Sequence, residues 1–282
     1  MSRTEVSIII VNYNGCHVIV DCLHSIFAYI ESPNIEVIVV DNASQDGSPE
    51  LIADKFPQVK LLRQTQNWGF GTANNIGVRH AAGDSLFLLN SDTVLTDNIL
   101  PALIAKLESA PDIGMVGPRL INQDGSFQLS IAHEIGLWGE FKTLQQVRQY
   151  RNPRNRPALA QQYGSDRYVD IIVGAAMLMR RSLFETVGGF DEAFFMYFEE
   201  SDLCQRVREL GYQLLYTPEV SLVHLGGYSV AQAATKMAET YRHSQRYYYQ
   251  KHRPLWEQWV LERYLALKRW RQRKRTTKAK IG

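Results

Sequence analysis

Through the first third of the chain, apolar residues come in short unbroken runs. "VSIIIV" (6–11), "EVIVV" (36–40) and "SLFLL" (85–89) lean on β-branched and bulky side chains and do not alternate with polar ones. Runs of this kind suit strands of a parallel sheet covered on both faces. Between and after them the spacing turns helical, predicting helices over about 17–30, 48–55, 71–82 and 97–109. Pro49 and Pro101 stand near the starts of two of these, where proline is tolerated. The alternation implies an α/β domain with right-handed crossovers, a mostly parallel central sheet and helices on both faces.

The pattern then weakens. Residues 122–168 contain "QDGS", "RNPRNRP" and "QQYGSDR" and read as a long, poorly periodic loop, a feature usually tied to function or mobility. "VDIIVGAAMLMRR" (169–181) reads as one strand, with Gly174 where something approaches the backbone closely. "EESDLCQRVRELGY" (199–212) reads as a helix ended by Gly211, and "YQLLYTP" (212–218) as a strand stopped by Pro218. From Ala231 to about Thr276 the chain looks helical. The expected organisation is a body over 1–230 and a helical, basic extension over 231–282.

Composition adds a size and a compartment. A chain of 282 residues that is 45% hydrophobic can bury a substantial core. Cys16, Cys22 and Cys204 form no CxxC pair, and their odd number argues against a disulfide framework, so a reducing, cytoplasmic setting is expected. The N-terminus lacks a signal-peptide pattern, and no segment reaches the roughly 18 consecutive apolar residues of a membrane span.

Charge adds a partner. Residues 242–282 hold 13 Lys and Arg against Glu257 and Glu262, a balance of +11 that leaves −9 for residues 1–241. An acidic body with a basic tail points to an anionic surface. The tail interleaves Trp and Tyr with Lys and Arg, which suits an interfacial helix on anionic lipid. Nucleic acid is the rival, since aromatic-basic segments also bind it, and a solvated helix is a third reading.

Three polar motifs follow the predicted strands: "VNYNG" (11–15), "VDNAS" (40–44) and "NSDT" (90–93). Ligands of open parallel sheets sit outside the carboxyl ends of the strands, so the three motifs mark one site. Each taken alone is equally consistent with turns and helix caps. A GxGxxG fingerprint is missing after the first strand: "NYNGCH" has one glycine, and "GFGTAN" has Asn74 in place of the third. There is no P-loop either. Phosphate, if bound, is then held by metal rather than by a backbone cradle. Asp92, flanked by small residues, fits a hard cation such as Mg²⁺ or Mn²⁺ whose remaining ligands are substrate oxygens.

"VNYNG", "VDNAS", "NWGFGTANNIG", "LLNSDT", "VGGFDEAFFMYFEESDLCQRVRELGY" and "VHLGGYS" occur in this order over residues 5–230. Together they resemble family-2 glycosyltransferases of the GT-A fold, most closely the rhamnosyltransferase-like branch. The resemblance implies transfer of a sugar from a UDP- or dTDP-sugar, with inversion, to a glycan or lipid-linked acceptor in cell-surface polysaccharide synthesis. It implies a divalent metal held by Asp92, with Asn90 standing where the family's DxD motif has its first acid. Asp41 would read the pyrimidine edge. Asn12 and Asn14 would line the nucleotide pocket, and Asn67, Gly69 and Asn74 would close around base and ribose.

The resemblance also implies a catalytic base in the pair Glu199-Glu200, where the family has Glu-Asp. Glu200 is the first choice and Glu199 the second. His224 becomes a candidate for the metal or diphosphate, with Gly226 and Gly227 letting its loop fold over the donor. Gly174, Asp191 and Trp68 become candidates for the acceptor and sugar pocket, with Phe195 as a further stacking platform. Asp202 reads as structural. Such an enzyme favours lipid over nucleic acid for the tail, and a peripheral position at the inner face of the membrane. Two rivals remain. A nucleotidyltransferase should carry a Gly-rich loop with Lys or Arg after the first strand, which "VNYNGCH" lacks. A non-catalytic glycan- or partner-binding protein stays open through Asn90 and Glu200.

Overall fold

The computed structural model describes residues 5–30, 34–226 and 234–279. The first half runs β1 (Val6–Asn12), α1 (Ile19–Tyr29), β2 (Ile35–Asp41), α2 (Ser48–Lys55), β3 (Lys60–Arg63), α3 (Phe70–Arg79) and β4 (Ser85–Asn90). β1 lies parallel to β2 and β4, and β2 parallel to β3. The unbroken apolar runs have the cause the pattern implied. Ile8 and Ile10 pack in one cluster with Ile19, Leu23 and Ile26 of α1, while Ile9 joins a second cluster with Val78 of α3. A strand covered on both faces is apolar along its length, and the one polar residue within this run, Ser7, is buried and hydrogen-bonded to Glu36.

The second half begins with β5 (Thr93–Leu95), α4 (Leu100–Glu108) and β6 (Ile113–Ile121). Then come β7 (Phe127–Gln128), β8 (Ile131–Ala132), α5 (Leu137–Arg151), α6 (Arg156–Gln162), β9 (Arg167–Val169) and β10 (Ile171–Ile172). β11 (Ala176–Arg180), α7 (Arg181–Thr186), α8 (Glu199–Glu209) and β12 (Gln213–His224) complete the body. The main sheet has the order β3-β2-β1-β4-β11-β6-β12-β5. β11 is antiparallel to both β4 and β6, so the sheet is mixed, with its parallel half at the N-terminal end of the chain. The reversal has a consequence for the site: β11 pairs Ala176 with Leu89, which brings its start to the edge where β4 ends.

Three expectations are corrected. Residues 122–168 are not one loop; they contain β7, β8, α5 and α6. The helical period of α5 was hidden because Trp138, Phe141 and Leu144 face outward while Gln146 is buried. The segment 169–181 is not one strand, since a turn at 173–175 separates β10 from β11. Pro218 does not stop β12, which continues to His224 through a register shift between Thr217 and Ser221. Prolines are tolerated at such irregularities. β6 carries no unbroken apolar run, because Gly114, Gly117 and Pro118 interrupt it. Gly117 is needed there, because an added β-carbon would stand 2.4 Å from Ile172 Cγ2.

The C-terminal extension is two helices, α9 (Ala234–His252) and α10 (Leu255–Ala279). They break before Pro254, which has no N–H to give to a continuous helix. Phe194 and Phe198 of the body form one cluster with Tyr248 and Tyr249 of α9 and with Leu261 and Leu265 of α10. The boundary expected at 230/231 and Gly227 both lie outside the described residues.

Candidate active site

Register brings the three polar motifs together. Asn12 pairs with Asp41, and Val11 with Asn90, at neighbouring ends of parallel strands. Asn12 Nδ2 donates to Asp41 Oδ1 at 2.8 Å and lies 2.8 Å from Ser48 Oγ. Asp41 Oδ2 accepts from the Ser44 N–H at 3.1 Å. Asn14, at φ 50°, accepts from the Gln45 N–H at 2.8 Å, and its own N–H donates to Ser44 Oγ at 2.9 Å. The loops after β1 and β2 are thus one hydrogen-bonded unit, with Asp41 and Asn12 buried beneath it. Between the two asparagines Tyr13 is 46% exposed, a flat group at the lip of the site that the motif reading passed over.

Asn42, inside the "VDNAS" motif, joins the site as well. Asn42 Nδ2 donates to Asn67 Oδ1 at 2.8 Å and to the Gly69 carbonyl at 3.1 Å, while its Oδ1 accepts from the Trp68 N–H at 2.9 Å. One amide therefore fixes the 67–69 loop onto the end of β2. Gly69 sits at φ 82°, and an added β-carbon would come 2.1 Å from the Phe195 carbonyl oxygen. Trp68 (42% exposed) and Phe195 (46%) thus belong to the two segments that meet at this close approach. Asn74 is turned away instead: it is 1% exposed and donates to the Phe70 carbonyl at 3.0 Å within its own helix.

Asp92 and His224 meet. β12 pairs His224 with Thr93, and His224 Nε2 stands 3.3 Å from Asp92 Oδ1. The Leu225 N–H donates to the Asp92 carbonyl at 2.9 Å. Gln128, on β7, decides the imidazole's orientation. Its Nε2 donates to the His224 carbonyl at 3.0 Å and to Asn122 Oδ1 at 3.1 Å. Its Oε1 is left to accept from His224 Nδ1 at 2.7 Å. This network assigns the proton to Nδ1 and turns the Nε2 lone pair toward the carboxylate. Two electron-rich atoms in that position need a proton or a cation between them, and an outer hydrogen bond on Nδ1 is the usual support of a metal-bound imidazole. The donor set thus fits Mn²⁺ or Mg²⁺. Among the described residues no cluster of three or more His, Cys, Asp or Glu could hold a metal without help, so substrate oxygens would complete the shell.

The acids Glu199 and Glu200 open α8. Glu199 is 5% exposed, and among the described residues the Oε2 atoms of both lack a hydrogen-bond partner. Burial pushes both carboxyls above the ordinary glutamate value. The charge of Glu200 raises Glu199 further, whereas the N–H groups of Glu200 and Ser201 pull Glu200 back down. A β-carbon added at Gly174 would stand 3.5 Å from Glu200 Cβ, so the turn after β10 forms a wall beside this acid.

The chain reaches the pair through strain. Tyr197 and Phe198 lie at φ 68° and 71°, a left-handed region that costs large side chains energy. α9 supports this turn. Ser244 Oγ donates to the Met196 carbonyl at 2.8 Å, and the Tyr241 ring packs 5.4 Å from Tyr197 and 5.1 Å from Phe198.

Asp191 and Asp202 anchor the same helix. Asp191 Oδ2 accepts from Lys251 at 2.6 Å and from the Tyr247 hydroxyl at 3.0 Å, while Oδ1 accepts from the Ala193 N–H. Its carboxylate holds α9 to the body rather than opening onto an acceptor pocket. Asp202, fully buried, takes Arg206 at 2.8 Å, Lys251 at 2.7 Å and His252 at 2.6 Å. Burial pushes its carboxyl up. The His252 hydrogen bond, the Arg206 charge and the Lys251 bond outweigh burial and bring the value down to about 2.

A polar shelf, an acid–histidine pair and a buried acid pair share one edge of this mixed sheet, whose architecture is that of the GT-A fold. Two solved structures have the same fold. The mannosyltransferase PcManGT from Pyrobaculum calidifontis, in complex with GDP-Man and Mn²⁺, matches at TM-score 0.57 and 19% identity, over 94% of this chain and 81% of that one. GalNAc-T7 with UDP, GalNAc and Mn²⁺ matches at TM-score 0.59 and 19% identity, over 78% of this chain and 43% of that one.

The family follows from sequence. The Glycosyl transferase family 2 model matches residues 7–188, and the chain belongs to that family and is a glycosyltransferase. It is 29% identical over 258 residues to the N-acetylglucosaminyl-diphospho-decaprenol L-rhamnosyltransferase of Mycobacterium tuberculosis, covering 83% of this chain and 82% of the relative. A low-salt glycan biosynthesis hexosyltransferase, Agl10 of Haloferax volcanii, is 25% identical over 78% of this chain and 67% of its own length.

Proposed function

We propose that this glycosyltransferase moves a sugar, rhamnose by its likeness to the mycobacterial relative, from a dTDP- or UDP-sugar to a hydroxyl of a lipid-linked glycan, with inversion and with a divalent cation, in cell-surface polysaccharide synthesis. The observation that carries the reading is the shared sheet edge, with Asp92 and His224 3.3 Å apart and the buried Glu199–Glu200 pair beside Gly174. The rhamnosyltransferase name supports the sugar and the diphospho-decaprenol acceptor, and the nucleotide- and Mn²⁺-bound neighbours support the donor type and the metal.

Asp92 and His224 would hold the cation, which when bound would offset charge on the leaving diphosphate. The rest is done by the chain. The loops after β1 and β2 and the Asn42-tethered loop at 67–69 bind base and ribose, with Tyr13 and Trp68 as flat surfaces. Glu200 takes the proton of the acceptor hydroxyl as that oxygen bonds to the anomeric carbon and the carbon–diphosphate bond breaks. One base then serves for inversion, and no covalent nucleophile is needed. Proton removal of this kind is worth about 10²–10⁴-fold. Burial and the charge of Glu200 favour the protonated form of Glu199 beside it. The basic end of α10 holds the enzyme peripherally on an anionic, cytoplasm-facing membrane where such an acceptor resides. Among the described residues no helix is long and apolar enough to cross a bilayer.

The test is calorimetric binding of UDP, dTDP, GDP and CMP, each with and without Mn²⁺. Metal-dependent binding of UDP or dTDP alone is expected. Folded protein that binds none of the four would replace this reading with that of a non-catalytic binding module.

A further inference from the structure

The outward face of α5 breaks the usual rule for a surface helix. Trp138 (76% exposed), Phe141 (51%) and Leu144 (65%) recur every three residues and form one stripe. Lys142, Arg148 and Arg151 are exposed on the same helix. Its acid, Glu140, turns inward and accepts from Gln245 at 2.9 Å and from the Tyr249 hydroxyl at 3.0 Å. The face thus presents large apolar groups and cations without a carboxylate. Helices in water turn polar residues outward, and exposed apolar patches with a charged rim mark contact surfaces.

The face continues onto α10. The Leu137 N–H donates to Glu257 Oε2 at 3.1 Å, so the first turns of the two helices meet. The exposed tryptophans flank this bond: Trp138 follows Leu137, Trp256 (59%) precedes Glu257, and Trp259 (60%) lies one turn further on. Leu255 beside them is 81% exposed. The other acid of α10, Glu262, is paired with Arg246 at 2.5 Å. Both acids of α10 are therefore paired within the chain, Glu257 half-buried and Glu262 at the surface.

We propose that the outward face of α5 and the first turns of α10 form one docking surface for an anionic lipid bilayer. Trp138, Phe141 and Leu144 enter the boundary between headgroups and acyl chains, and the cations of α5 meet the lipid phosphates. The proposal rests on the reading of an enzyme that works at a membrane, and adds a second contact that fixes its orientation. Charge selects the occupant. A second copy seated on this face would set Lys142, Arg148 and Arg151 against like charges, which disfavours association. An anionic bilayer matches both the cations and the aromatic side chains.

Co-sedimentation of the full chain with phosphatidylcholine vesicles, with and without phosphatidylglycerol, tests the idea. The variants are W138S/F141S/L144S, K142E/R148E/R151E and a truncation lacking 271–282, each checked for folding by circular dichroism. The wild type should sediment with the anionic vesicles, and the triple-serine chain should bind at least about tenfold more weakly. The charge-reversed chain should lose the preference for phosphatidylglycerol. If the triple-serine chain binds like the wild type while truncation abolishes binding, the α5 surface is refuted and the membrane reading stands. If the wild type binds neither vesicle, both fall. A dimer in sedimentation velocity that W138S/F141S/L144S dissociates, with vesicle binding unchanged, would make the face a self-interface and overturn the proposal.

Discussion

The three carboxylates at the start of α8 have opposite fates, and the difference is what surrounds them. Asp202 has three cationic or proton-donating partners, and its carboxyl is held down at about 2. Glu199 and Glu200 have each other and backbone N–H groups, with no ion pair among the described residues, and burial raises both. A base with a raised value loses its activity on acidification earlier than an ordinary glutamate of about 4.3 would. The acid limb of kcat/KM should therefore lie above that value and extend over more than one titration, because the pair is coupled. The stability sign is the reverse of the Asp202 case. The fold favours the protonated acids, so their contribution is present at low pH and is lost as pH rises through the raised values. Glu200→Gln should thus lose transfer by about 10²–10⁴-fold, keep nucleotide affinity, and melt no lower than wild type at neutral pH. Retained transfer would move the base to Glu199. Asp92→Asn should weaken UDP or dTDP binding only when Mn²⁺ is present; equal affinity with Mn²⁺ would remove Asp92 from the metal.

At the scale of elements, glycines decide how closely the site can be assembled. Gly69 puts the start of α3 against the Phe195 carbonyl, joining a loop after β3 to the turn before α8. Gly69→Ala should cost on the order of 3 kcal/mol in denaturant unfolding and weaken nucleotide binding, since both backbone strain and a clash result. Gly47→Ala is the control. It shares the left-handed backbone at φ 81°, yet its β-carbon would meet nothing within 4 Å, so about 1 kcal/mol is expected. Equal losses at the two positions would mean that the contact with Phe195 is unimportant. The same scale explains what the chain's pattern disclosed. β1, β2 and β4 were legible because each is buried on both faces. α5 was not, because a helix with aromatics outward and Gln146 inward has no ordinary amphipathic signal.

Over the whole molecule, the C-terminal helices complete the catalytic body. Asp202 and Asp191 grip α9 from below, and Ser244 and Tyr241 on α9 support the strained turn at Tyr197 and Phe198. Acid should release this grip. With Asp202 lowered from 3.8 to about 2, its contribution is present above pH 4 and is lost as pH falls toward 2, a matter of about 2 kcal/mol. Denaturation midpoints of wild type and Asp202→Asn should therefore differ at pH 6 and converge near pH 2. A constant difference would show that the Asp202 cluster is not what acid titrates.

By itself the sequence determined the parallel half of the sheet, the three strand-end motifs and the acids at the start of α8. Each is written in a local pattern: an unbroken apolar run, a polar break after it, or a helix-opening pair. Only the tertiary structure decided the rest. Asn42 tethers a loop 25 residues away, Gln128 orients an imidazole 96 residues away, and Asp191 serves α9, 60 residues on. Amides and carboxylates carry no mark of which distant partner they will meet. That choice is made when β11 reverses direction and β12 brings His224 beside Thr93, because only the packed sheet sets these groups within hydrogen-bond reach.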